Sequence, residues 1–209
     1  MKKSAGILMY KFVENKLKVF IVHPGGPFWK NKDLGVWSIP KGEINDGEND
    51  LSRAIKEVNE ETGIKLPKEK ERYIFLGEVK QKSWKKILAW AIEDKENFWK
   101  GILMKQNFIE IKDNFTGKKI KIPEVDKADY FEIKKAKEKL ISGQDEFIDR
   151  LIKKLVCYSF FSSLGVSLSF FSSTFSSALT SFTASPLLFC SWKISESFFF
   201  PSLTIFKLI

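Results

Sequence analysis

Residues 37–64 read WSIPKGEINDGENDLSRAIKEVNEETGI, and the second half of this stretch predicts a helix. We place that helix over residues 50–62. Apolar side chains recur at helical spacing along one stripe of it, formed by Leu51, Ala54, Ile55 and Val58. Asn49 or Asp50 can cap its first turn, and Gly63 stands where a helix commonly ends. The stripe predicts that the helix packs on a core.

A second face of the same helix is acidic. Glu57, Glu60 and Glu61 are spaced three and one apart, so their carboxylates crowd together about a third of a turn from the apolar stripe. Such a cluster repels itself unless a positive charge lies within it, and oxygen ligands suit Mg²⁺ or Mn²⁺. The alternative is a solvated acidic face on a chain rich in lysine and glutamate.

The acidic cluster belongs to a longer pattern, G-x5-E-x7-[R/K]-E-U-x-E-E-x-G-U with U aliphatic. The residues that carry it are Gly42, Glu48, Lys56, Glu57, Val58, Glu60, Glu61, Gly63 and Ile64. This pattern resembles the box of the Nudix hydrolase family, and the lead-in over residues 37–42 is similar to the family's W-x-x-P-K-G entry. The resemblance covers about residues 3–155. Its one departure is Lys56, where the family has arginine; Arg53 lies on the carboxylate side and could partly substitute.

The resemblance implies a fold and an activity. The fold would be α/β (α+β), a Nudix-like α/β/α sandwich with a mixed β-sheet. The activity would be Mg²⁺-dependent hydrolysis, with Mn²⁺ also suitable, of a pyrophosphate bond in a nucleoside diphosphate derivative. A nucleoside triphosphate or dinucleoside polyphosphate would be the substrate, cleaved by metal-activated water. The chain would therefore be an enzyme acting on phosphorus-containing acid anhydrides.

The same resemblance assigns roles to individual residues. The implied catalytic residues are Glu57, Glu60 and Lys56, with Glu57 either a metal ligand or the general base. The implied metal ligands are Glu57, Glu60, Glu61, the carbonyl of Gly42 and, from the family's late acidic loop, Glu124. Glu48 either braces its loop or is solvated.

Substrate contacts are predicted outside the box. Lys41 is placed to meet a phosphate, although surface charge is the alternative. Trp29 and Tyr130 are candidates to stack on a base, as are Phe28 and Trp84, and core packing is the alternative for all four. His23 ends a predicted strand, which favours a structural role over substrate contact.

Two further functions are alternatives, an RNA 5′-pyrophosphohydrolase and a nucleotide-binding sensor. The chain carries a formal +9, which would allow an RNA 5′-pyrophosphohydrolase. However, the lysines are scattered among glutamates, so a solvated surface is the favoured explanation. A Nudix fold used as a nucleotide-binding sensor without hydrolysis is the other alternative. The intact acidic cluster argues against a sensor, and Lys56 argues slightly for one.

Composition excludes several classes of protein. The 209 residues include two cysteines, Cys157 and Cys190, and one histidine, His23, too few for a disulfide scaffold or a Cys/His zinc site. The apolar run that follows Lys2 and Lys3 stops at Lys11, too early for a signal peptide. We therefore expect a cytoplasmic protein, with membrane association not favoured.

Charged residues become rare after residue 155. Beyond it the chain is rich in serine and phenylalanine, and residues 156–192 carry no charge. We predict a Nudix domain over residues 1–155, ending with a helix over residues 145–155, and a low-complexity tail over residues 156–209. The tail has three interpretations: a disordered or β-rich extension, a frameshift or read-through product, or, less favoured, a membrane anchor.

Strand propensity and turn chemistry predict the remaining elements. Predicted strands cover residues 4–12, 17–23, 36–39, 73–80, 87–92, 108–111, 119–122 and 130–133. Residues 116–117 are the predicted turn of a hairpin, and residues 41–49 a polar loop.

Overall fold

The computed structural model describes residues 2–81, 85–101, 107–112 and 119–163. In chain order the strands are β1 (Lys3–Val13), β2 (Lys16–Pro24), β3 (Lys41–Glu43), β4 (Ile74–Gln81), β5 (Lys85–Glu93), β6 (Phe108–Lys112), β7 (Lys119–Pro123) and β8 (Val125–Glu132). The helices are α1 (Asp50–Thr62), α2 (Ile133–Lys139) and α3 (Asp145–Ser163), and a short 3-10 turn covers Lys70–Arg72.

The central sheet is mixed. Its strands lie in the order β4-β5-β1-β2-β8, and β3 pairs with the first residues of β1. The β1 and β5 pair is parallel, whereas the other pairs are antiparallel. Strands β6 and β7 form a separate antiparallel hairpin.

Helices cover this sheet because the strands are apolar on both faces. Ile7 and Met9 of β1 share a buried cluster with Ala54 and Val58 of α1. Side chains alternate across a strand, so Leu8 points to the opposite face, and it is fully buried there. The predicted α+β fold with a mixed sheet is therefore confirmed.

The helix that carries the acidic cluster begins and ends where the sequence predicts. The Asn49 side chain accepts a hydrogen bond from the backbone of Ser52 (3.0 Å) and caps the first turn. Gly63 adopts a left-handed conformation (φ 78°), and its N–H donates to the carbonyl of Asn59. Such caps each stabilise a helix by about 1 kcal/mol.

Four predicted boundaries were wrong. The strand predicted over residues 130–133 begins at Val125 instead, because pairing with β2 extends it, and Ile133 already belongs to α2. Residues 36–39 are not a regular strand, because Trp37 and Ser38 each form only an isolated bridge, to different partners. Residues 41–43 are not loop, because the edge of β1 offers them a strand partner. Helix α3 continues beyond residue 155 to Ser163, since the loss of charge there does not interrupt helical backbone.

Other predictions fall partly outside the described residues. The predicted turn at residues 116–117 lies outside the described residues, although the two strands that flank it pair as predicted. Contacts group residues 1–151 into one compact unit, and the division at residue 155 and the nature of the tail stay predictions. Within the described ranges, no helix combines the length and apolar character needed to span a membrane.

Candidate active site

Gly42 and Glu57 lie against each other where β3 meets α1. Gly42 pairs with Ala5 of β1, and this pairing fixes the position of its backbone. A Cβ atom at position 42 would overlap the Glu57 carboxylate. Glycine is therefore required at position 42 to let the backbone approach that carboxylate.

Arg53 supplies the positive charge within the acidic face of α1. Its guanidinium pairs with Glu57, lies 3.7 Å from Glu60 and 3.9 Å from Glu48, and donates to the carbonyl of Glu43 (3.0 Å). The side chain is only 15% exposed. Arg53 therefore offsets the repulsion among these carboxylates and also ties the loop after β3 to the helix.

Lys56 lies at the margin of this group. Its ammonium is 3.7 Å from Glu60, and the side chain is 57% exposed. Glu48 contacts the backbone and side-chain amides of Asn45 (3.4 and 3.2 Å) as well as Arg53, which fits the predicted bracing of the loop.

Glu61 lines a cleft of about 350 Å³, together with Lys41 and Glu124. One Glu61 oxygen accepts a hydrogen bond from the backbone of Lys41 (3.4 Å), whereas the other is buried without a hydrogen-bond partner. Burial raises the pKa of the Glu61 carboxyl to about 8; Lys41 opposes the rise, and Glu124 and Glu60 add to it.

These features fit a divalent cation. A buried carboxylate oxygen without a partner, next to a second carboxylate, lacks the positive charge that would favour its ionised form. Among the described residues, no three acidic, histidine or cysteine side chains converge as a ready cation site. Arg53 engages two of the acidic side chains, Glu57 and Glu60. The structure thus groups Glu61 with Glu124 at the cleft, and Glu57 with Glu60 around Arg53.

Apolar and aromatic side chains also line the cleft and form what we call its aromatic wall. Phe28 and Trp29 line it from the segment after β2, and Ile109 and Ile122 line it from the β6–β7 hairpin. Sequence reasoning singled out Phe28 and Trp29 but missed the isoleucines. No motif marks these two, because only the hairpin register, which pairs Ile109 with Ile122, brings them together.

The structure does not bring Tyr130 to this cleft. Its hydroxyl donates to Asp94 (2.8 Å), and its ring packs 5.3 Å from that of Phe20. Its predicted role in base stacking stays a prediction. His23 is buried, as a structural role requires, and Trp84 lies outside the described residues.

Comparison with known proteins gives the family. The family profile described as NUDIX domain matches residues 2–151. The bis(5′-nucleosyl)-tetraphosphatase (asymmetrical) of Rattus norvegicus is 38% identical over 63 residues, 29% of this chain and 43% of that protein. Nudix hydrolase 7 of Arabidopsis thaliana is 39% identical over 61 residues, 29% of this chain and 20% of that protein.

Among solved structures, a C. elegans Ap4A hydrolase in a binary complex is similar at 15% identity and a TM-score of 0.47. That match covers 75% of this chain and 98% of the other. The matches to the two curated relatives span less than half of either relative's length. The family profile covers most of the chain, and on that basis the chain belongs to the Nudix family.

Proposed function

We propose that this chain hydrolyses a pyrophosphate bond in a nucleoside diphosphate derivative, either a nucleoside triphosphate or a dinucleoside polyphosphate, with Mg²⁺ as the preferred cation. One observation carries the proposal: a single cleft joins the carboxylates of Glu61 and Glu124 to a wall that contains Phe28 and Trp29. The acidic residues suit a cation that binds the charged phosphates of a nucleotide, and the aromatic residues suit its flat base.

The acidic residues would hold the cation. Glu61 and Glu124 are its proposed ligands, together with Glu57, Glu60 and the carbonyl of Gly42. When bound, a divalent cation neutralises phosphate oxygens and promotes ionisation of water. Without such a charge, the carboxylates would repel the phosphates of the substrate.

Residues of the chain would accept the proton of the attacking water and bind the phosphates. We assign proton acceptance from the attacking water to Glu57 or Glu60, whose carboxylates Arg53 holds in place. The water oxygen bonds to phosphorus, the anhydride P–O bond breaks, and the bridging oxygen leaves with the electron pair. Lys41 lines the cleft beside Glu61 and would bind a phosphate oxygen.

The test is a substrate panel on the full chain. Reaction products, both nucleotides and pyrophosphate, would be separated by anion-exchange chromatography after incubation with nucleoside triphosphates, dinucleoside polyphosphates, nucleotide sugars or 5′-triphosphate RNA, with Mg²⁺, Mn²⁺ or chelator. We expect cation-dependent turnover of one of the first two classes, lost in Glu61→Gln and Glu124→Gln. Glu132→Gln, which alters a carboxylate paired with Lys16 (3.1 Å) on the surface, is the matched control.

Three results would contradict the proposal. Turnover unaffected by chelator would exclude the cation. Turnover of RNA alone would identify the RNA 5′-pyrophosphohydrolase. Nucleotide binding without any turnover would identify a sensor.

A further inference from the structure

The imidazole of His23 lies buried between two hydrogen-bond acceptors. Its Nδ1 is 2.6 Å from an Asp126 carboxylate oxygen, and its Nε2 is 2.8 Å from the Lys32 carbonyl oxygen. A carbonyl oxygen can only accept, so Nε2 carries a proton and donates it. Both ring nitrogens are thereby engaged, and His23 is only 1% exposed.

Lys32 connects this histidine to the aromatic wall of the cleft. Its carbonyl is held by His23, and its backbone N–H donates to the carbonyl of Trp29 (2.8 Å). Its ammonium also lies 5.0 Å from the centroid of the Trp29 ring. One residue therefore links the buried imidazole to the backbone and side chain of Trp29.

The segment that carries Trp29 is fixed independently at its start. Gly25 donates to the carbonyl of Glu124 (3.0 Å), and a Cβ atom at Gly26 would lie 2.6 Å from Ile122 Cδ1. These contacts hold residues 25 and 26 against the β6–β7 hairpin and the start of β8. Trp29 lies between this anchor and the Lys32 carbonyl, so its placement depends on both ends.

We propose that His23 is a positioning residue for substrate binding: its Nε2–H fixes the Lys32 carbonyl and so holds Trp29 against the cleft. The inference rests on the proposed function, because it assumes that Trp29 meets the nucleoside part of the substrate. The contacts of His23, with Asp126, Lys32 and Trp37, include none of the proposed cation ligands. Its loss should therefore weaken binding and leave the chemical step intact.

Two substitutions at position 23 distinguish the role of Nε2 from that of Nδ1. In His23→Gln the side-chain amide nitrogen lies near the former Nε2 and can still donate to Lys32, whereas in His23→Asn it lies near Nδ1 and cannot. We expect KM for the nucleotide substrate to rise roughly three- to tenfold in His23→Asn, the effect of one lost hydrogen bond, with kcat nearly unchanged. His23→Gln should behave like the wild type.

Acrylamide quenching of Trp29 fluorescence supplies a readout that needs no activity. The Trp29 signal is the difference between each protein and the same protein carrying Trp29→Phe, and circular dichroism checks that each variant folds. Increased quenching in His23→Asn but not in His23→Gln supports the proposal. Equal quenching in both variants, or a fall in kcat without a change in KM, overturns it. If no nucleotide is turned over, quenching still decides the positioning role and only the proposed function fails.

Discussion

In α1 the guanidinium of Arg53 pairs with the carboxylate of Glu57, whereas the ammonium of Lys56, the residue directly before Glu57, lies 3.7 Å from Glu60. A guanidinium is planar and presents several donors, so it fixes the orientation of a carboxylate, while an ammonium acts as a point charge. We infer that Arg53 could partly substitute, from one helical turn earlier, for the arginine that the family pattern has at position 56.

This arrangement predicts unequal effects of removing the two cations. Arg53→Ala leaves Glu57 buried without its partner, and we expect kcat/KM to fall about 10- to 100-fold, as for other groups that orient active-site ligands. Lys56→Ala removes an exposed contact, so the fall should stay within about fivefold. Steady-state kinetics on the best substrate of the panel would measure both. A larger loss in Lys56→Ala, or a large gain in Lys56→Arg, would contradict the assignment.

The contact between Gly42 and Glu57 predicts a second effect. In Gly42→Ala the new methyl group overlaps the Glu57 carboxylate, which must shift, and we expect a loss of kcat/KM of about 100-fold or more. Gly47→Ala is the matched control, because nothing lies within 4 Å of its added Cβ and only its positive φ (80°) is unfavourable. The control should lose about 1 kcal/mol of unfolding free energy and keep its activity. Equal activity losses would refute the steric explanation.

Regular elements were predictable because their signals are local. The apolar stripe, Asn49 and Gly63 define α1 within one stretch of chain, and the helix forms over those residues. Strand β3 was missed because Lys41–Glu43 is polar and forms a strand only through pairing with β1. Propensity cannot reveal a pairing that depends on residues distant in sequence.

The same distinction applies to the site, where residues close together in the sequence were predicted and residues far apart were not. Spacing within the helix indicated the acidic cluster, and Arg53 was recognised from its place on the same face. The cleft wall formed by Ile109 and Ile122, and the contact of His23 with Asp126, join segments far apart in the chain. No motif in the sequence marks these four residues, so only the fold reveals their position.

Burial of Glu61 predicts how stability depends on pH in the absence of a cation. Its pKa is raised from 4.5 to about 8, so between these values the native state retains a proton that the unfolded chain releases. The unfolding free energy should therefore fall as pH rises through this window and level off above it. The contribution is on the order of a few kcal/mol.

Denaturant unfolding with chelator, at about pH 5 and about pH 9, would measure this fall in wild type and in Glu61→Gln. We expect the variant to lose markedly less stability, because glutamine has no proton to release. Adding Mg²⁺ at the higher pH should stabilise the wild type and leave the variant nearly unchanged. An identical pH dependence in the two proteins would show that Glu61 does not titrate as its burial requires.

Lys41 supplies the last prediction, because it lines the cleft beside Glu61 and its strand partner β1 fixes its backbone. Lys41→Gln should raise KM about 10- to 100-fold, the cost of one charge-assisted hydrogen bond, if the ammonium binds a phosphate oxygen. Lys86→Gln is the matched control, since Lys86 pairs with Glu78 (2.7 Å) and is not among the residues that line the cleft. KM should stay unchanged in the control. If Lys41→Gln instead lowered kcat at constant KM, the ammonium would act on the departing phosphate rather than on the bound substrate, because only an interaction confined to the transition state has that signature.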